Sequence, residues 1–457
     1  MTHSDTICAL ATPPGGALGI IRLSGPEAIP ILSRIFSRDL TNSSGNTIHY
    51  GTIRSGSTII DEVLVSIFRA PHSYTGEDSA EISCHGSRYI LSNVLNLLIQ
   101  NGARAARPGE YTQRAFLNGK LDLSQAEAVA DLIASTGKAS HSIAMSQLRG
   151  HFSTHLSQLR DQLLHLTTLL ELELDFSDHE ELEFADRKSI LALARDIDTH
   201  IIHLARSFET GQAIKHGIPV AIIGKTNAGK STLLNQLLGE ERAIVSDIHG
   251  TTRDTIEDCI DIEGINFRFI DTAGIRTTSD TVEQIGIQRT YQAMERATIV
   301  IWLIEDTPSE EDIANVQTHL NDKKTLIIVR NKIDLDSNAT SAPTPAAITH
   351  LLATPILSIS AKHGTNISAL KRHIYEAANI PEINENDTII SSARHYDALM
   401  QAHANLSCVI TSIESNTSTD LISTDLRVVI DNLSDITDPI TPQDTLNNIF
   451  SRFCVGK

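Results

Sequence analysis

The sequence predicts an α/β protein with a separate all-helical part, and two features of the chain support this. Between residues 216 and 379, short apolar runs alternate with amphipathic segments, which is typical of a doubly wound, mainly parallel sheet. On both sides of that stretch the chain has the pattern of bundle helices, and residues 109–218 contain no proline. The simplest arrangement is a helical domain interrupted by an inserted α/β domain, preceded by a small N-terminal α/β domain.

The first 118 residues mix short β-type runs with turns. The runs Glu62–Phe68 and Ser79–Ser83 have the composition of strands, and Arg88–Gln100 has that of a helix ended by Asn101 and Gly102. We therefore predict an N-terminal α/β domain over residues 1–118.

The helical domain is predicted in two halves, residues 119–215 and 380–457. In the first half, apolar residues recur at steps of three and four from Phe152 to Leu170, which places one apolar stripe on a helix. In the second half, three helices are predicted over Ala393–Ile413, Leu421–Leu433 and Thr441–Phe453.

The inserted domain, residues 216–379, contains five predicted strands. They are Val220–Ile223, Phe267–Ile270, Ile299–Ile304, Leu326–Val329 and Ile356–Ile359. Amphipathic segments such as Glu283–Arg296 and Ile367–Ala377 lie between them, as the crossover helices of a parallel sheet do.

Composition limits the ligands and the cellular compartment that we expect for this chain. The 457 residues carry 37 Lys+Arg against 56 Asp+Glu, a formal net charge of −19, which gives no support for a generally basic nucleic-acid-binding surface. Five scattered cysteines without a CxxC pair indicate free thiols in a reducing compartment. No signal-peptide pattern and no membrane-length apolar run is present, so we expect a cytoplasmic protein without membrane contact.

Residues Gly224–Ser231, with the sequence GKTNAGKS, fit the pattern G-x-x-x-x-G-K-[ST] between a predicted strand and a helix predicted over Thr232–Leu238. In such a loop the backbone N–H groups wrap the phosphates, the lysine reaches the β- and γ-phosphates, and the hydroxyl ligates Mg²⁺. Lys230 and Ser231 occupy these two places. We expect further nucleotide contacts from Asn227, Ala228, Gly229 and Thr232.

Four more segments follow in the order of a GTPase. Asp271-Thr272-Ala273-Gly274 offers a carboxylate to the metal shell and a glycine N–H to the γ-phosphate. Asn331-Lys332-Ile333-Asp334 ends in a carboxylate that can accept the N1–H and N2–H₂ groups of guanine, which adenine does not offer there, and Ser360-Ala361-Lys362 backs guanine O6 through its backbone. Thr252, in Gly250–Asp254, is the expected second hydroxyl on Mg²⁺. Nucleotide contacts are also expected from Ser246, Asp247, Ile248, His249, Gly250 and Thr251.

The residue after Gly274 is Ile275, where Ras-like enzymes carry the glutamine that orients the attacking water. Isoleucine cannot orient water, so hydrolysis requires another group. Glu283 is the acidic candidate just downstream, although an ordinary solvated glutamate at a helix start explains it more simply from the residue alone.

Distinctive segments also lie outside the nucleotide motifs. They are Thr6-Ile7, Ala11–Gly15, Ile21–Gly25, Tyr74–Asp78, Ala106–Thr112, Arg114–Leu123 and Ile449–Lys457. Together with Asn227 and Asp271–Arg276, they resemble the MnmE (TrmE) family of tRNA-modification GTPases along essentially the whole chain. The fold that the resemblance implies is an N-terminal folate-binding-like domain, a helical domain and an inserted Ras-like GTPase domain.

The resemblance implies a cytoplasmic homodimer, joined through the N-terminal domain, that forms a heterotetramer with a flavin-dependent partner, MnmG (GidA). Together they add a carboxymethylaminomethyl or aminomethyl group to C5 of the wobble uridine of certain tRNAs. The resemblance also implies a folate one-carbon carrier, 5-formyl- or methylene-tetrahydrofolate, on the N-terminal domain. It further implies that the GTPase domains dimerise across K⁺ during hydrolysis.

Residue roles follow from the same motifs. The resemblance implies K⁺ ligands at Asn227 and at the carbonyls of Ser246, Ile248 and Thr251, and a water-positioning role for Glu283 beside the catalytic Lys230. It implies folate contacts at Arg22, Glu81 and Lys120. Cys454 matches the family's C-terminal cysteine, with Lys457 or Lys120 as cations that would lower the pKa of its thiol. From the residues alone, Cys454 is equally a packed thiol beside Phe450 and Phe453.

Two other functions fit parts of the chain. A GTP-dependent ribosome-assembly switch would share the nucleotide motifs, but it would be expected to carry a basic RNA-binding module, and none is visible. A prenylation box at Cys454–Lys457 is disfavoured, because Gly456 is not aliphatic and Lys457 is not a usual last residue. A GTPase that acts in tRNA modification is the leading hypothesis.

Overall fold

The computed structural model describes residues 5–175, 187–239, 258–270, 291–321, 324–335, 356–381, 387–415, 417–437, 449–451, 453 and 456. The chain divides into two compact units. The first unit comprises Met1–Ile133, Ala144–His203 and Arg394–Lys457, and the second comprises Ala134–Ile143 and Leu204–Ala393.

The first unit contains a six-stranded sheet in the order β3-β4-β5-β2-β1-β6. Every neighbouring pair is antiparallel except β1 with β6. The apolar faces of helices α1 and α2 pack on the sheet to form one buried core, and α2 has the bounds predicted from the sequence. The elements are β1 (Ile7–Leu10), β2 (Leu18–Ser24), α1 (Ala28–Ile35), β3 (Thr47–Ser55), β4 (Thr58–Phe68), β5 (Ser79–His85), α2 (Arg88–Gln100) and β6 (Arg104–Ala105).

Helices follow the sheet. The predicted stripe of α6 is confirmed, because its six apolar residues from Phe152 to Leu170 are each at most 3% exposed. The helices predicted over Ala393–Ile413 and Leu421–Leu433 are also confirmed, whereas most of Thr441–Phe453 lies outside the described residues. The helices are α3 (Glu110–Leu117), α4 (Leu123–Ala134), α5 (Lys138–Leu148), α6 (His151–Asp175), α7 (Arg187–His216), α11 (Ala393–Glu414) and α12 (Thr419–Thr437).

The two halves of the helical part meet at Glu127 of α4. Its carboxylate accepts a hydrogen bond from Arg394 Nε at 2.8 Å and pairs with His395 Nε2 at 2.9 Å. Arg394 also donates to the carbonyls of Asp435 and Ile436, so it satisfies two of the carbonyls that the end of α12 leaves without helical partners. Residues far apart in the chain thus close one helical layer in the first unit.

The second unit contains a six-stranded sheet in the order β12-β11-β10-β7-β9-β8, parallel except for the β8–β9 hairpin. A buried apolar cluster covers each face, which confirms the doubly wound architecture. The elements are β7 (Ile218–Gly224), α8 (Lys230–Gly239), β8 (Asp258–Ile262), β9 (Ile265–Phe269), β10 (Ile299–Ile304), α9 (Glu310–His319), β11 (Thr325–Arg330), β12 (Ile356–Ser358) and α10 (Ile367–Ala377).

A buried ion network holds α3 to the segments that precede β1 and β5. The Arg114 side chain is 0% exposed and lies within 3.3 Å of carboxylate oxygens of Asp5, Glu77 and Glu110. Burial alone would raise the pKa of Glu110, but hydrogen bonds from Arg104 and from the backbone of Arg107 outweigh burial and hold that pKa at about 2. Glu110 therefore stays ionised although it is buried.

We predict that Glu110→Gln lowers the free energy of unfolding by about 3 kcal/mol, because breaking a buried ion pair leaves the other charge without its partner. Since folding lowers the pKa of Glu110 from 4.5 to about 2, its stabilisation is present above pH 4.5 and is lost as the pH falls towards 2. Denaturant titration at several pH values measures both effects. Glu27→Gln, which breaks an exposed pair with Arg34, is the control and should change little. Equal effects of the two substitutions would contradict the prediction.

Candidate functional site

The phosphate loop joins the end of β7 to the start of α8. A Cβ on Gly224 would lie 2.3 Å from the carbonyl oxygen of Leu303, and a Cβ on Gly229 would lie 2.3 Å from Asn331 Nδ2, so neither position has room for a side chain. Both glycines and Asn227 have positive φ angles. The loop therefore runs directly into the N-terminus of α8. The positive end of the helix dipole and free backbone N–H groups lie there, and both favour binding of an anion.

Lys230 opens α8 and turns its side chain back to the loop. Its Nζ donates to the carbonyl of Gly224 at 2.6 Å and to that of Lys225 at 2.9 Å. Burial lowers the pKa of this ammonium group. Negatively charged phosphates bound beside it would act in the opposite direction and favour its charged form. Ser231 follows it half-buried at the helix start, and Asn227 is exposed on the loop.

The Asn331 side chain joins three of the predicted motifs. It is 5% exposed, its Nδ2 donates to the carbonyl of Ala228 at 2.8 Å, and its Oδ1 accepts from the N–H of Ala361 at 2.9 Å. A single amide thus fixes the phosphate loop against both segments that were predicted to recognise the base.

Asp334, the predicted guanine acceptor, lies beside Ser360 and His363. Its Oδ1 accepts from Ser360 Oγ at 2.5 Å, and His363 Nε2 lies 3.6 Å from its Oδ2. The Ser360 hydroxyl is the main cause of a lowered pKa at Asp334, so the carboxylate is ionised and can accept two donors. Lys332 has a positive φ and pairs with Glu305. Lys362 is exposed beside this segment.

A larger set of the predicted site residues lies outside the described residues. This set comprises Ser246, Asp247, Ile248, His249, Gly250, Thr251, Thr252, Asp271, Thr272, Ala273, Gly274, Glu283, Cys454 and Lys457. Their roles stay predictions.

A second cluster lies in the first unit. Arg22 of β2 and Glu81 of β5 are direct cross-strand partners, with Arg22 Nε 2.7 Å from Glu81 Oε1. Arg22 Nη1 also donates to the carbonyl of Gly456 at 3.3 Å. Lys120 donates to the carbonyl of Pro71 at 2.9 Å. The structure therefore brings Arg22 and Glu81 together, and it gives Lys120 a different hydrogen-bond partner.

Sequence reasoning missed the place of Gly456. Its φ is +95°, and a Cβ there would lie 2.5 Å from the carbonyl oxygen of Leu10. Nearby in the chain, Phe450 and Phe453 are buried in a cluster with Leu123. A glycine close to a run of aromatic residues was the available signal. It indicates that Gly456 lies against the end of β1 within the first unit.

Asn331 ties the phosphate loop to the backbone of Ala361, and Asp334 is bonded to the neighbouring Ser360, an arrangement typical of the nucleotide domain of a P-loop GTPase. Two family profiles match the chain, "GTP-binding protein TrmE N-terminus" over residues 6–120 and "MnmE helical domain" over residues 123–454. The chain belongs to the MnmE (TrmE) family, and it is a GTP-hydrolysing enzyme of a tRNA-modification family.

Two relatives named "tRNA modification GTPase MnmE" match over their whole length. The one from Phocaeicola vulgatus is 53% identical and the one from Bacteroides fragilis is 52% identical, with 100% of both chains covered in each case. A solved structure of Era with MgGDPNP and nucleotides 1506-1542 of 16S ribosomal RNA is 31% identical over 41% of this chain and 65% of its own. Its TM-score of 0.28 is too low to bear on the fold or the function.

Within the ranges that the structure describes, none of the helices is both long enough and apolar enough to cross a membrane.

We predict that Asp334→Asn weakens GTP binding by at least about 100-fold, because a donor replaces one of the two acceptors that face guanine donors. Xanthosine triphosphate, which carries a carbonyl where guanine has its amino group, should bind this variant better than GTP does. Nucleotide titration followed by fluorescence measures both affinities. Glu376→Gln, a change in an exposed pair on α10, is the control. Unchanged GTP affinity in Asp334→Asn would contradict the assignment.

Proposed function

We propose that this GTPase uses hydrolysis to drive modification of the wobble uridine of certain tRNAs, together with an MnmG (GidA)-type flavoprotein. The product would carry a carboxymethylaminomethyl or aminomethyl group at C5. The observation that carries the proposal is the full-length match to relatives named for tRNA modification. It is supported by the hydrogen bonds that hold the predicted base-recognition segments together. We place the working complex, a heterotetramer built on a homodimer, in the cytoplasm.

Mass spectrometry of wobble uridines tests the proposal directly. Cells that lack this protein should lose the C5 group, and the wild-type gene should restore it. The Asp334→Asn variant should fail to restore it, because that variant cannot hold GTP. Normal wobble uridines in the cells lacking the protein would overturn the proposal.

The Arg22–Glu81 pair supports a folate site on the first unit. A pteridine ring, like guanine, presents an N–H and an amino group side by side, and a carboxylate such as Glu81 can accept both. Arg22 and Lys120 are cations for the carboxylates of the folate tail, and each retains exposed surface. We propose that 5-formyl- or methylene-tetrahydrofolate binds here and supplies the one-carbon unit.

For hydrolysis we propose that Mg²⁺ is held by the hydroxyls of Ser231 and Thr252. Lys230 would stabilise the negative charge that develops on the phosphates, and Glu283 would orient the attacking water. We propose that Asn227 and the carbonyls of Ser246, Ile248 and Thr251 hold K⁺. Support comes from Asn227, whose amide stands on the exposed side of the phosphate loop, where a partner GTPase domain can approach.

We predict that K⁺ stimulates GTP hydrolysis at least about 10-fold more than Na⁺ does, because a cation beside the phosphates offsets developing charge. Asn227→Ala should keep GTP affinity and lose the preference for K⁺. Glu283→Ala serves as the contrasting variant and should lower kcat in both salts, since it acts on the water rather than on the cation. Equal wild-type rates in NaCl and KCl would contradict the K⁺ site.

We propose that Cys454 takes part in transfer of the one-carbon unit, as a nucleophile or proton donor. Cys454 is two residues from Gly456, whose carbonyl accepts a hydrogen bond from Arg22 of the proposed folate site. A nearby cation, Lys457 or Lys120, would lower the pKa of its thiol.

Cys454→Ser is predicted to leave folding, dimerisation and GTP hydrolysis largely intact and to reduce uridine modification at least about 100-fold, because a hydroxyl is a much weaker nucleophile than a thiolate. Reconstituted modification with purified partner and tRNA provides the measurement. Cys408→Ser, which changes an exposed cysteine on α11, is the matched control. Full modification by Cys454→Ser would rule out thiol chemistry, and loss of folding would make Cys454 a core residue.

A further inference from the structure

The turn between α4 and α5 is attached to the tip of the β8–β9 hairpin within the second unit. The N–H of Ala139, in the first turn of α5, donates to the carbonyl of Gly264 at 3.0 Å. Asn266 Nδ2 donates to Thr136 Oγ1. We call this contact, made by Thr136, Gly137 and Ala139 with Gly264 and Asn266, the hairpin seam.

The hairpin seam is closely fitted. A Cβ on Gly137 would lie 2.9 Å from the carbonyl oxygen of Gly264 and 3.1 Å from Asp261 Oδ2. Glu263 and Gly264 form the two-residue turn with positive φ angles, and Asp261 Oδ1 accepts from the N–H of Gly264 at 2.8 Å. The hairpin tip is thus a hydrogen-bonded two-residue turn in close contact with the backbone at Gly137.

The β8–β9 hairpin lies, along the chain, between two segments that are predicted to contact the nucleotide. Its two strands connect residues 240–257, which contain the predicted Mg²⁺ ligand Thr252, to residues 271–290, which begin with the predicted Asp271-Thr272-Ala273-Gly274 segment. β9 also pairs with β7 from Ile218 to Val220, and β7 leads directly into the phosphate loop. The hairpin is therefore joined along the chain to both segments predicted to meet the nucleotide, and β9 is paired with the strand that leads into the phosphate loop.

The other side of the seam leads out of the second unit through the chain itself. α4 continues from the seam back to Leu123, a length of about 18 Å at 1.5 Å per residue. It carries Glu127, which holds Arg394 and His395 at the start of α11. Along the chain, α4 is thus the segment between the hairpin seam and Glu127.

We propose that the hairpin seam couples the nucleotide state to the modification reaction. In this mechanism, loss of the γ-phosphate shifts the hairpin, and the α4–α5 turn moves with it because its backbone and Thr136 are bonded to the tip. The inference rests on the proposed function for its output, whereas the shift itself depends only on the nucleotide. A coupling between two sites of a protein typically changes the affinity at one of them by about 5- to 150-fold.

Hydrogen–deuterium exchange of the full-length wild-type chain tests the shift without tRNA. With GDP and with GDP plus aluminium fluoride in KCl, we expect the amides of residues 137–143 to exchange at rates that differ at least about 5-fold. The Ala139 amide is the most direct reporter, because it bonds to Gly264. Identical exchange in the two states would overturn the proposal, whatever the outcome for tRNA.

Three variants test the output. Gly137→Ala forces the hairpin away, while Thr136→Val and Asn266→Ala remove the side-chain bond. Asn266→Ala also removes a buried Oδ1 that has no hydrogen-bond partner among the described residues, so it should cost little stability. All three should keep GTP affinity and unstimulated hydrolysis within about 2-fold and reduce modification at least about 10-fold.

Gly239→Ala is the matched control, since a Cβ there meets no atom within 4 Å. It should behave as the wild type in every assay. Full modification by Thr136→Val and Asn266→Ala would overturn the proposal, and so would parallel losses of thermal stability and hydrolysis, which would make the seam a structural fastening. If wild-type protein with its partner left tRNA unmodified, the proposed function would fail while the exchange experiment still decided the seam.

Discussion

The nucleotide site depends on one side-chain amide. The side-chain N–H of Asn331 donates to Ala228 of the phosphate loop, and its side-chain oxygen accepts from the N–H of Ala361. The Asn331 side chain is buried. An unsatisfied buried amide is costly, so each of its two bonds stabilises the other. Gly229 lies so close to this amide that only a glycine fits there. The phosphate loop and the two segments predicted to recognise the base are consequently held together by one side chain.

The sequence predicted the nucleotide domain well because its signals are local. Buried parallel strands are continuous apolar runs, and Ile299–Ile304 and Ile367–Ala377 were located to the residue. The segments Gly224–Ser231 and Asn331–Asp334 were singled out by their residue pattern and by the predicted strand before each, and their nucleotide roles stay predictions. Periodicity likewise located the stripe of α6.

What the sequence could not predict depends on contacts between distant residues. The bonds of Asn331 to Ala228 and Ala361 span 103 and 30 residues, and the bond of Arg22 to Gly456 spans 434. The hairpin seam and the buried environment of Arg114 are of the same kind. No local pattern encodes which loop approaches which, because approach is decided by the packing of whole elements.

The closure of the helical layer at Glu127 has a consequence for protein synthesis. Its partner Arg394 is 267 residues further along the chain, and the whole nucleotide domain is translated between them. At roughly 5–20 residues per second, the ribosome takes about 13 to 53 seconds to cover that distance. All the described strands of the second unit are translated before Arg394, so they leave the ribosome ahead of this partner of Glu127. The helical layer is therefore completed last. Until its final helices are translated, the Glu127 carboxylate on α4 has neither Arg394 nor His395 beside it.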